Sequence, residues 1–460
     1  MDADEFRKRG HELVDWIARY RETLEALPVM SRVAPGEIRA RLPAAPPARG
    51  GSVAVTELLD RDVLPGITHW NHPGFFAYFP SNTSYASILG DLAAAGLGAQ
   101  GMSWQTSPAA TEIEEVVMDW LRQIVGLSPA WTGVIQDTAS TATLGALICA
   151  RERSAGGARS APEGARGSIE KGGRVVYASQ QAHSSVDKAA RLAGLTLRAI
   201  PVDDAFAMRP DALAAAIAED LAAGHAPCAI VATSGTTNTT AFDPIAAIAA
   251  LAEHHALWLH VDAAMAGTAM ALPECRHLWD GVERADSLVF NPHKWMGAGF
   301  DLSASYVRDP QHLIRVMGTN PTYLRTAQDA EVSNFRDWHI QLGRRFRALK
   351  LWFYLLDAGV EGLQARLRRD LANAQWLAAQ VRASADWELV APVALQTVCI
   401  RHRHGQALAI AKAINERGHA YLTTSVARGE PIIRVSIGAE RTERAHVAAL
   451  WAELAAPGPA

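Results

Sequence analysis

Two reactive side chains follow apolar runs that are typical of buried strands. Asp262 lies in the run LWLHVDA (257–263), and Lys294 follows the run SLVFN (287–291). Lysine is scarce in this chain, with six among 44 basic residues, and arginine cannot supply a neutral amine. The pattern therefore points to a carboxylate and an amine at the ends of successive strands.

Further polar residues that could hold a ligand follow other apolar runs. His183 comes after RVVYAS (174–179), and Thr236 comes after CAIVATS (228–234). Ligands of open parallel sheets bind at the carboxyl ends of the strands, so these side chains are expected to meet. Each also has an ordinary alternative: a strand-final aspartate often caps a helix, a histidine is often satisfied in a core, and a lysine often lies at the surface.

Together these residues fit one cofactor, pyridoxal phosphate (PLP). Lys294 can hold the cofactor aldehyde as a Schiff base, and Asp262 can keep the pyridine nitrogen protonated. The polar stretch at 138–140 is predicted to begin a helix, whose first amides can bind the phosphate. His293 can add a donor to the phosphate, and His183 offers a flat ring that can stack on the pyridine.

Strand-like runs alternate with Ala-rich helical segments from about residue 68 to about residue 307, which predicts an α/β domain with a mainly parallel sheet. Helical patterns between the strands cover 210–224 and 243–255. A Gly/Ser/Ala-rich stretch over 154–173 is expected to be a mobile surface insertion.

Helical patterns also flank this domain. The amphipathic segment 3–27 is followed by a Pro-rich connector, so its apolar face must dock on the rest of the chain or on a second subunit. A long amphipathic helix is predicted from about Arg344, followed by a smaller α+β domain with strands in ALQTVCIRH and IIRVSIG.

Composition argues against several classes of function. The 460 residues carry a formal net charge of −4 and have a pI near 6.5, which disfavours a nucleic-acid partner. No apolar run has the length of a membrane span or the pattern of a signal peptide, so no membrane partner is expected. The four cysteines are scattered, which predicts a cytoplasmic protein without a cysteine metal clip or a disulfide framework.

Eight motifs resemble those of the group II PLP-dependent decarboxylases, and most closely those of bacterial aromatic-L-amino-acid decarboxylases of the DOPA and tryptophan decarboxylase type. They are HWNHPGFFAYFPSNTSYAS, SWQTSPAATEIEEVVMDWL, GVIQDTASTATL, QAHSSVDKA, HVDAAMAG, FNPHKW, NPTYL and LGRRFRALKLWF. The resemblance runs from the first helix to RVSIGAERTE and covers nearly the whole chain.

The resemblance implies a fold and an assembly. The fold would be the PLP-dependent transferase fold of type I, an α/β large domain with a mainly parallel seven-stranded sheet. An N-terminal helical dimerisation segment would cover 1–76, the large PLP-binding domain 77–350, and a small α+β domain 351–460. The chain would form a homodimer with shared active sites, and the N-terminal helix would be exchanged between subunits.

The resemblance also assigns roles to individual residues. The catalytic residues would be Lys294, Tyr323 and His183. The cofactor would contact Thr138, Ala139, Ser140, His183, Thr236, Asp262, Ala264, Asn291, His293 and Lys294. The substrate pocket would be lined by Trp70, Tyr78, Phe79, Ser81, Gln100 and Met102, some of them from the partner subunit, and no metal would be needed.

The activity implied is decarboxylation of an aromatic L-amino acid to the arylalkylamine and CO2, with Tyr323 returning a proton to the substrate. The alternative is an aromatic aldehyde synthase, which couples decarboxylation to oxidative deamination, although tyrosine at 323 favours the amine. Gln100, Met102 and Ser81 depart from animal members of the family. The preferred substrate among DOPA, 5-hydroxytryptophan, tryptophan, tyrosine and phenylalanine therefore stays open.

Three other functions compete with this interpretation. The sequence GLGAQG (96–101) matches the dinucleotide fingerprint, but a helical pattern precedes it where a strand is required. The segment HHALWLHVD (254–262) offers metal-ligand types, although buried strand histidines are more common than ligands. A PLP-fold binding protein without catalysis would not need Lys294, Asp262, His183 and Tyr323 together.

Overall fold

A computed structural model of the chain describes residues 1–51, 53–154, 173–319, 328–329 and 331–456. Within these ranges, every helix is too short or too polar to span a lipid bilayer. The predicted insertion at 154–173 falls almost entirely outside the described residues.

The helices of the described residues alternate with strands through the middle of the chain. The helices are α1 (Ala3–Glu22), α2 (Glu37–Arg41), α3 (Val55–Leu58), α4 (Tyr85–Leu97), α5 (Pro108–Ile124), α6 (Ala139–Ser154), α7 (Ser184–Leu192), α8 (Pro210–Ala222), α9 (Ile245–His254), α10 (Pro310–Met317), α11 (Ala348–Ala383), α12 (Ala407–Arg417) and α13 (Arg444–Leu454). The strands are β1 (Thr132–Gln136), β2 (Arg174–Ser179), β3 (Thr196–Ile200), β4 (Ala226–Thr233), β5 (Trp258–Asp262), β6 (Ser287–Phe290), β7 (Ser303–Val307), β8 (Trp387–Leu389), β9 (Thr397–His402), β10 (Thr423–Ala427) and β11 (Glu430–Ser436).

Strands β1 to β7 form one sheet in the order β1-β7-β6-β5-β4-β2-β3. Only β7 runs against its neighbours in this sheet, and the other pairs are parallel. The predicted mainly parallel seven-stranded sheet is therefore confirmed. Because the six parallel strands point the same way, their carboxyl ends lie along one edge.

Helices cover both faces of this sheet, as the continuous apolar runs of its strands require. One core contains Ile217 of α8 and Ile248 of α9. The core on the opposite side contains Leu147 of α6, Val186 of α7 and Leu313 of α10. Strand β5 is buried along its whole length between these layers, which fixes the position of its last residue, Asp262.

A second, antiparallel sheet lies in the C-terminal part of the chain, with the order β10-β11-β9-β8. Its core is shared with α11, α12 and α13 and includes Leu377, Ile414 and Leu450. The predicted α+β character of this region is confirmed. The predicted domain boundaries after residues 76 and 350 stay a prediction.

The predicted helices and strands agree with the structure except at a few ends. The strand at 174–179 coincides with β2, and the helical pattern at 210–224 corresponds to α8. The long helix predicted from about Arg344 begins later, at Ala348. The reason is that the backbone N–H of Arg344 donates to the Gln100 side chain (2.9 Å) and its guanidinium binds Glu114, so this stretch does not follow a helical path.

A buried ion pair joins α5 to the segment before α11. The Arg344 guanidinium donates to Glu114 Oε2 (2.9 Å) and Oε1 (2.6 Å) and to the carbonyl of Ile135 (2.7 Å). Glu114 Oε1 also accepts from the Ile135 N–H at 2.9 Å. The Glu114 carboxylate therefore binds both the Arg344 guanidinium and the backbone of β1, away from water.

Substitution Glu114→Gln should lower the free energy of unfolding by about 3–5 kcal/mol, because Arg344 would be left buried without a counter-charge. Urea unfolding followed by circular dichroism measures this change. The matched control is Glu416→Gln, since Glu416 pairs with Lys412 at an exposed site and should change stability by less than about 1 kcal/mol. Equal effects of the two substitutions would contradict a stabilising role for the buried pair.

Candidate active site

Polar residues gather where five parallel strands of the large sheet end. Strands β1, β2, β4, β5 and β6 are followed there by the residues that the sequence singles out: Thr138, Ala139, Ser140, His183, Thr236, Asp262, Ala264, Asn291, His293 and Lys294. The structure therefore brings all the predicted cofactor-contacting residues to one edge of the sheet. Their roles stay a prediction.

Asp262 is the last residue of β5 and is almost fully buried. Its Oδ1 accepts from the N–H of Ala264 at 3.0 Å, and its carbonyl accepts from the N–H of Ser234 at 2.8 Å. The N–H of Asn291 in turn donates to the carbonyl of Ala264 at 2.9 Å. These bonds tie the ends of β4, β5 and β6 together, so the carboxylate is held in a fixed place.

Lys294 lies in a tight turn that follows β6 and spans Pro292–Met296. The turn closes on Gly297, whose φ of +108° is one that side chains rarely allow. A Cβ at Gly297 would also lie 3.3 Å from the ring of Tyr354. Glycine at this position thus lets the chain reverse directly after the lysine.

Burial lowers the pKa of the Lys294 amine below its usual 10.5, and the Asp262 carboxylate counteracts part of this decrease. The amine lies 5.6 Å from the centroid of the Phe79 ring. An amine in such surroundings loses its proton more readily than an exposed lysine. Lys294 is therefore better suited to act as a nucleophile than an exposed lysine.

His183 caps the first turn of α7. Its Nδ1 accepts from the backbone N–H of Ser185 at 3.1 Å, so Nδ1 carries no proton and Nε2 is the protonated nitrogen. Burial lowers the pKa of His183, with Asp262 raising it and Lys294 lowering it. The Nδ1 bond therefore holds the ring in one orientation, and the lowered pKa favours its neutral form.

The start of α6 offers an anion-binding site built from several elements. The helix begins at Ala139, so its first N–H groups have no partner within the helix. Thr138 differs, because its N–H donates to its neighbour Asp137 at 2.6 Å. The hydroxyl of Ser303 joins Asn291 to this turn, donating to Asn291 Oδ1 at 2.6 Å.

His293 is fixed from its Nδ1 side. This atom accepts from the N–H of Leu302 at 2.9 Å, and burial together with the charge of Lys294 lowers the pKa of the ring to about 3. A neutral ring bonded in this way carries its proton on Nε2. His293 can therefore donate one hydrogen bond to a bound anion.

The strand end of β4 carries hydroxyl groups that have no hydrogen-bond partner within the described residues. Thr233 Oγ1 and Ser234 Oγ are both buried in this state. The Thr236 hydroxyl is occupied instead, since it accepts from the N–H of Ala241 at 3.0 Å. These hydroxyls, at the end of the strand that neighbours Asp262, are free to bond to a polar group of a ligand.

Four of the six predicted pocket residues lie in the segment 70–81, which reaches the Lys294 turn through Phe79 and Ser81. Trp70 stacks on Tyr78 with ring centroids 5.6 Å apart, and the Tyr78 hydroxyl lies 3.2 Å from that of Tyr421. Phe79 contacts Lys294 as described, and the Ser81 hydroxyl donates to the carbonyl of His293 at 3.5 Å. This stretch thus gives the cleft an aromatic wall.

Gln100 and Met102 are placed elsewhere. Gln100 contacts Arg344, and the carbonyl of Met102 accepts from the N–H of Arg336 at 2.8 Å. Among the described residues, no hydrogen bond or ring contact joins either residue to Lys294. Tyr323 lies outside the described residues.

Arg434 is a residue of the cleft that the sequence did not single out. It is 5% exposed, lies 5.2 Å from the Phe79 ring centroid, and lines a groove of about 860 Å³ that also contains His183. Its donors reach neutral acceptors, including the carbonyls of Asn238 (2.9 Å) and Tyr78 (3.3 Å). The sequence feature that could have identified Arg434 is its position between the apolar residues of IIRVSIG. A charged residue in such a run is expected to be buried, and a buried charge needs a binding partner.

The two ligand-binding alternatives find no support in this geometry. The fingerprint at 96–101 begins inside helix α4, whose last two residues are Gly96 and Leu97 and whose C-cap Gly98 is in the left-handed conformation. His260 is fully buried between the hydroxyls of Thr143 (3.2 Å) and Ser287 (2.8 Å). Among the described residues, no three metal-ligating side chains come together.

The donor set fits PLP. It combines the amine of Lys294 and the buried carboxylate of Asp262 with helix-start amides and polar side chains that can bind a phosphate. The unpaired hydroxyls of Thr233 and Ser234 lie next to Asp262, as expected where a polar ring substituent is bound.

Comparisons with known proteins agree with this fit. Residues 35–403 match the model of the pyridoxal-dependent decarboxylase conserved domain. The chain is 42% identical to aromatic-L-amino-acid decarboxylase of Bos taurus, over 98% of this chain and 95% of the relative. It is 39% identical to phenylacetaldehyde synthase of Arabidopsis thaliana, over 98% of this chain and 95% of that relative. The crystal structure of Oryza sativa TDC with PLP and tryptamine superimposes with a TM-score of 0.93 and 38% identity, covering 98% of this chain and 97% of that chain.

The lowered pKa of Lys294 predicts selective labelling. When PLP is added to the cofactor-free protein and trapped with borohydride, peptide mass spectrometry should find the label on Lys294. The exposed residues Lys188 and Lys412 are the comparison sites and should carry much less label. Labelling spread evenly over the lysines would contradict the assignment, and Lys294→Ala is the control.

Proposed function

This chain belongs to the pyridoxal-dependent decarboxylase family, and on that premise we propose that it decarboxylates an aromatic L-amino acid to the arylalkylamine and CO2, with PLP as cofactor. The observation that carries the proposal is the pairing of a desolvated amine, Lys294, with a buried carboxylate, Asp262, on adjacent strand ends. The aromatic wall of the cleft supports the choice of substrate class.

When bound, PLP supplies an electron sink for the bond that is broken. Lys294 would hold its aldehyde, and Asp262 would keep a proton on its ring nitrogen, which strengthens the sink. The phosphate would bind at Ala139, Ser140, Asn291 and His293, with the hydroxyl of Thr138 beside them. Ala264 and Thr236 would border the ring.

His183 would stack on one side of the cofactor ring and present its Nε2–H to the cleft. Because Nδ1 is engaged by Ser185, the imidazole cannot rotate away. A neutral ring suits this place, since it adds no charge next to Lys294. His183 and Arg434 share one groove. No carboxylate of the described residues forms an ion pair with Arg434, so its charge would attract the carboxylate of an entering amino acid toward the cleft.

The substrate ring would lie against Trp70, Tyr78 and Phe79. Stacked aromatic side chains bind planar rings through dispersion and edge-to-face contacts. DOPA, 5-hydroxytryptophan, tryptophan, tyrosine and phenylalanine all meet this requirement. Competition among these five amino acids, measured as relative kcat/KM, determines the preference.

Tyr323 would return a proton to the substrate Cα, which is general acid catalysis. A second candidate activity, aromatic aldehyde synthesis, is suggested by the similarity to the Arabidopsis synthase. The tyrosine at 323 favours the amine product, because a proton donor ends the reaction before oxygen can intercept it.

We also propose a homodimer with shared active sites. Helix α4 exposes Leu89 (53%) and Leu92 (51%), and α1 exposes Phe6, whereas apolar surface of this kind is normally covered. Within the described residues, Gln100 and Met102 bond to Arg344 and Arg336 and not to the Lys294 turn, and we propose that a second copy brings them to the cleft. The four cysteines are buried and unpaired, which is compatible with the proposed cytoplasmic location.

The enzyme should release CO2 and one equivalent of amine from an aromatic L-amino acid. Substitution Tyr323→Phe should reduce amine formation by about 10²-fold or more, because general acid catalysis contributes on that scale, and should yield aldehyde and peroxide instead. Chromatography of products with a peroxide assay measures both. An unchanged amine yield would remove Tyr323 from the mechanism, and failure of the wild type with all five amino acids would refute the proposed function.

Dilution should abolish turnover if the active sites are shared. Specific activity should fall in step with the dimer fraction determined by analytical ultracentrifugation, because an isolated subunit lacks Gln100 and Met102 in its cleft. Substitution Leu89→Asp should shift this fall to higher protein concentration. A monomer with full specific activity would contradict shared sites.

A further inference from the structure

The turn around Lys294 is held through its backbone carbonyl groups. Five consecutive carbonyls, from His293 to Gly297, accept hydrogen bonds from other parts of the chain. Three of these bonds come from the segment 81–84: the Ser81 hydroxyl (3.5 Å), the Asn82 N–H (3.3 Å) and the Ser84 N–H (3.1 Å). The other two carbonyls, those of Trp295 and Met296, accept hydrogen bonds from a different element.

That donor is Arg366 on α11. Its Nη2 donates to the carbonyl of Trp295 at 2.5 Å and to that of Met296 at 2.7 Å. The arginine side chain is 12% exposed, so these bonds are made away from bulk water. One guanidinium thus holds the two residues directly after the lysine.

Asp370 lies one helical turn further along α11 and is fully buried. Its Oδ2 accepts from Trp295 Nε1 at 2.9 Å and lies 3.8 Å from Arg366 Nη1. Its Oδ1 lies 3.3 Å from Arg369 Nη2. The carboxylate therefore neutralises Arg366 and holds the side chain of the residue next to Lys294.

A buried charge pair costs desolvation free energy that the pair itself scarcely recovers. Burial raises the pKa of Asp370 to about 6, while the Arg366 charge opposes that increase. An apolar pair at these positions would fill the same space at lower cost. What the charged pair adds is directional contact with Trp295 and Met296, which an apolar pair cannot make.

We propose that Arg366 and Asp370 are positioning residues for Lys294, which fix the backbone from 294 to 296 and thereby the place of the amine relative to Asp262. The pair does not touch substrate or cofactor and acts through Trp295 and Met296. The kinetic part of this inference rests on the proposed function, whereas the cofactor-binding part does not depend on which substrate is used.

The test compares Arg366→Met and Asp370→Asn with the control Arg368→Gln. Arg368 lies on the same helix but pairs with Glu274 at the surface. Cofactor affinity is measured by titrating cofactor-free protein with PLP and following the visible absorbance. The kcat per bound cofactor and the KM are measured with the best aromatic substrate.

Both variants should raise the dissociation constant of PLP by about tenfold and lower kcat per bound cofactor by about 10- to 100-fold, the scale expected for a small misplacement of a reacting group. The KM should stay within about twofold, since the aromatic wall is untouched. Arg368→Gln should match the wild type. Arg366→Lys should lie between the wild type and Arg366→Met, because an ammonium keeps the charge but cannot bridge two carbonyls in the same way.

The inference is overturned if the variants lose thermal stability but keep the wild-type dissociation constant and kcat per bound cofactor. If Arg366→Met does not fold, Arg366→Lys provides the test. A wild-type PLP dissociation constant and a wild-type kcat per bound cofactor for Arg366→Lys would then overturn the inference. Absence of CO2 release by the wild type would instead refute the proposed function, and the PLP titration would still decide whether the pair positions Lys294.

Discussion

The site depends on keeping one lysine amine desolvated without pairing it tightly to a carboxylate. A close ion pair would raise the pKa of Lys294, whereas burial next to the Phe79 ring lowers it. Asp262 lies near enough to oppose this decrease in part, but its Oδ1 is engaged by the N–H of Ala264. The amine and the carboxylate can therefore bind opposite ends of one ligand, which is the arrangement that PLP requires.

Both halves of the chain contribute to this constraint. The centroid of the Phe79 ring lies 5.6 Å from the Lys294 amine and 5.2 Å from the Arg434 guanidinium of the C-terminal sheet. Tyr78 adopts a φ of +48°, a left-handed conformation that is uncommon for a bulky residue, and Arg434 holds its carbonyl. The C-terminal sheet thus shapes the wall that faces the lysine, and α11 holds the turn behind it.

Much of the site could be predicted because local sequence determines it. Asp262 and Lys294 follow continuous apolar runs, and a parallel sheet necessarily brings the ends of such runs to one edge. Arg434 could not be placed in the same way, since its role arises from packing against a segment more than 350 residues away in sequence. The start of α11 was misplaced for a related reason: the helical propensity of the stretch around Arg344 is overridden by the buried bond to Glu114. The location of Gln100 and Met102 depends on long-range contacts with the segment before α11, which no local pattern encodes.

The most direct test of this account is the protonation of the cofactor ring nitrogen. The protein is reconstituted with PLP labelled with ¹⁵N in the pyridine ring, and the ¹⁵N chemical shift is measured in the wild type and in Asp262→Asn. We expect a protonated ring nitrogen in the wild type and an unprotonated one in the variant, with Lys294 still carrying the cofactor in both. An unprotonated nitrogen in the wild type, or a shift that the substitution leaves unchanged, would contradict the placement of Asp262 at the ring nitrogen of a cofactor held by Lys294, on which the account is built.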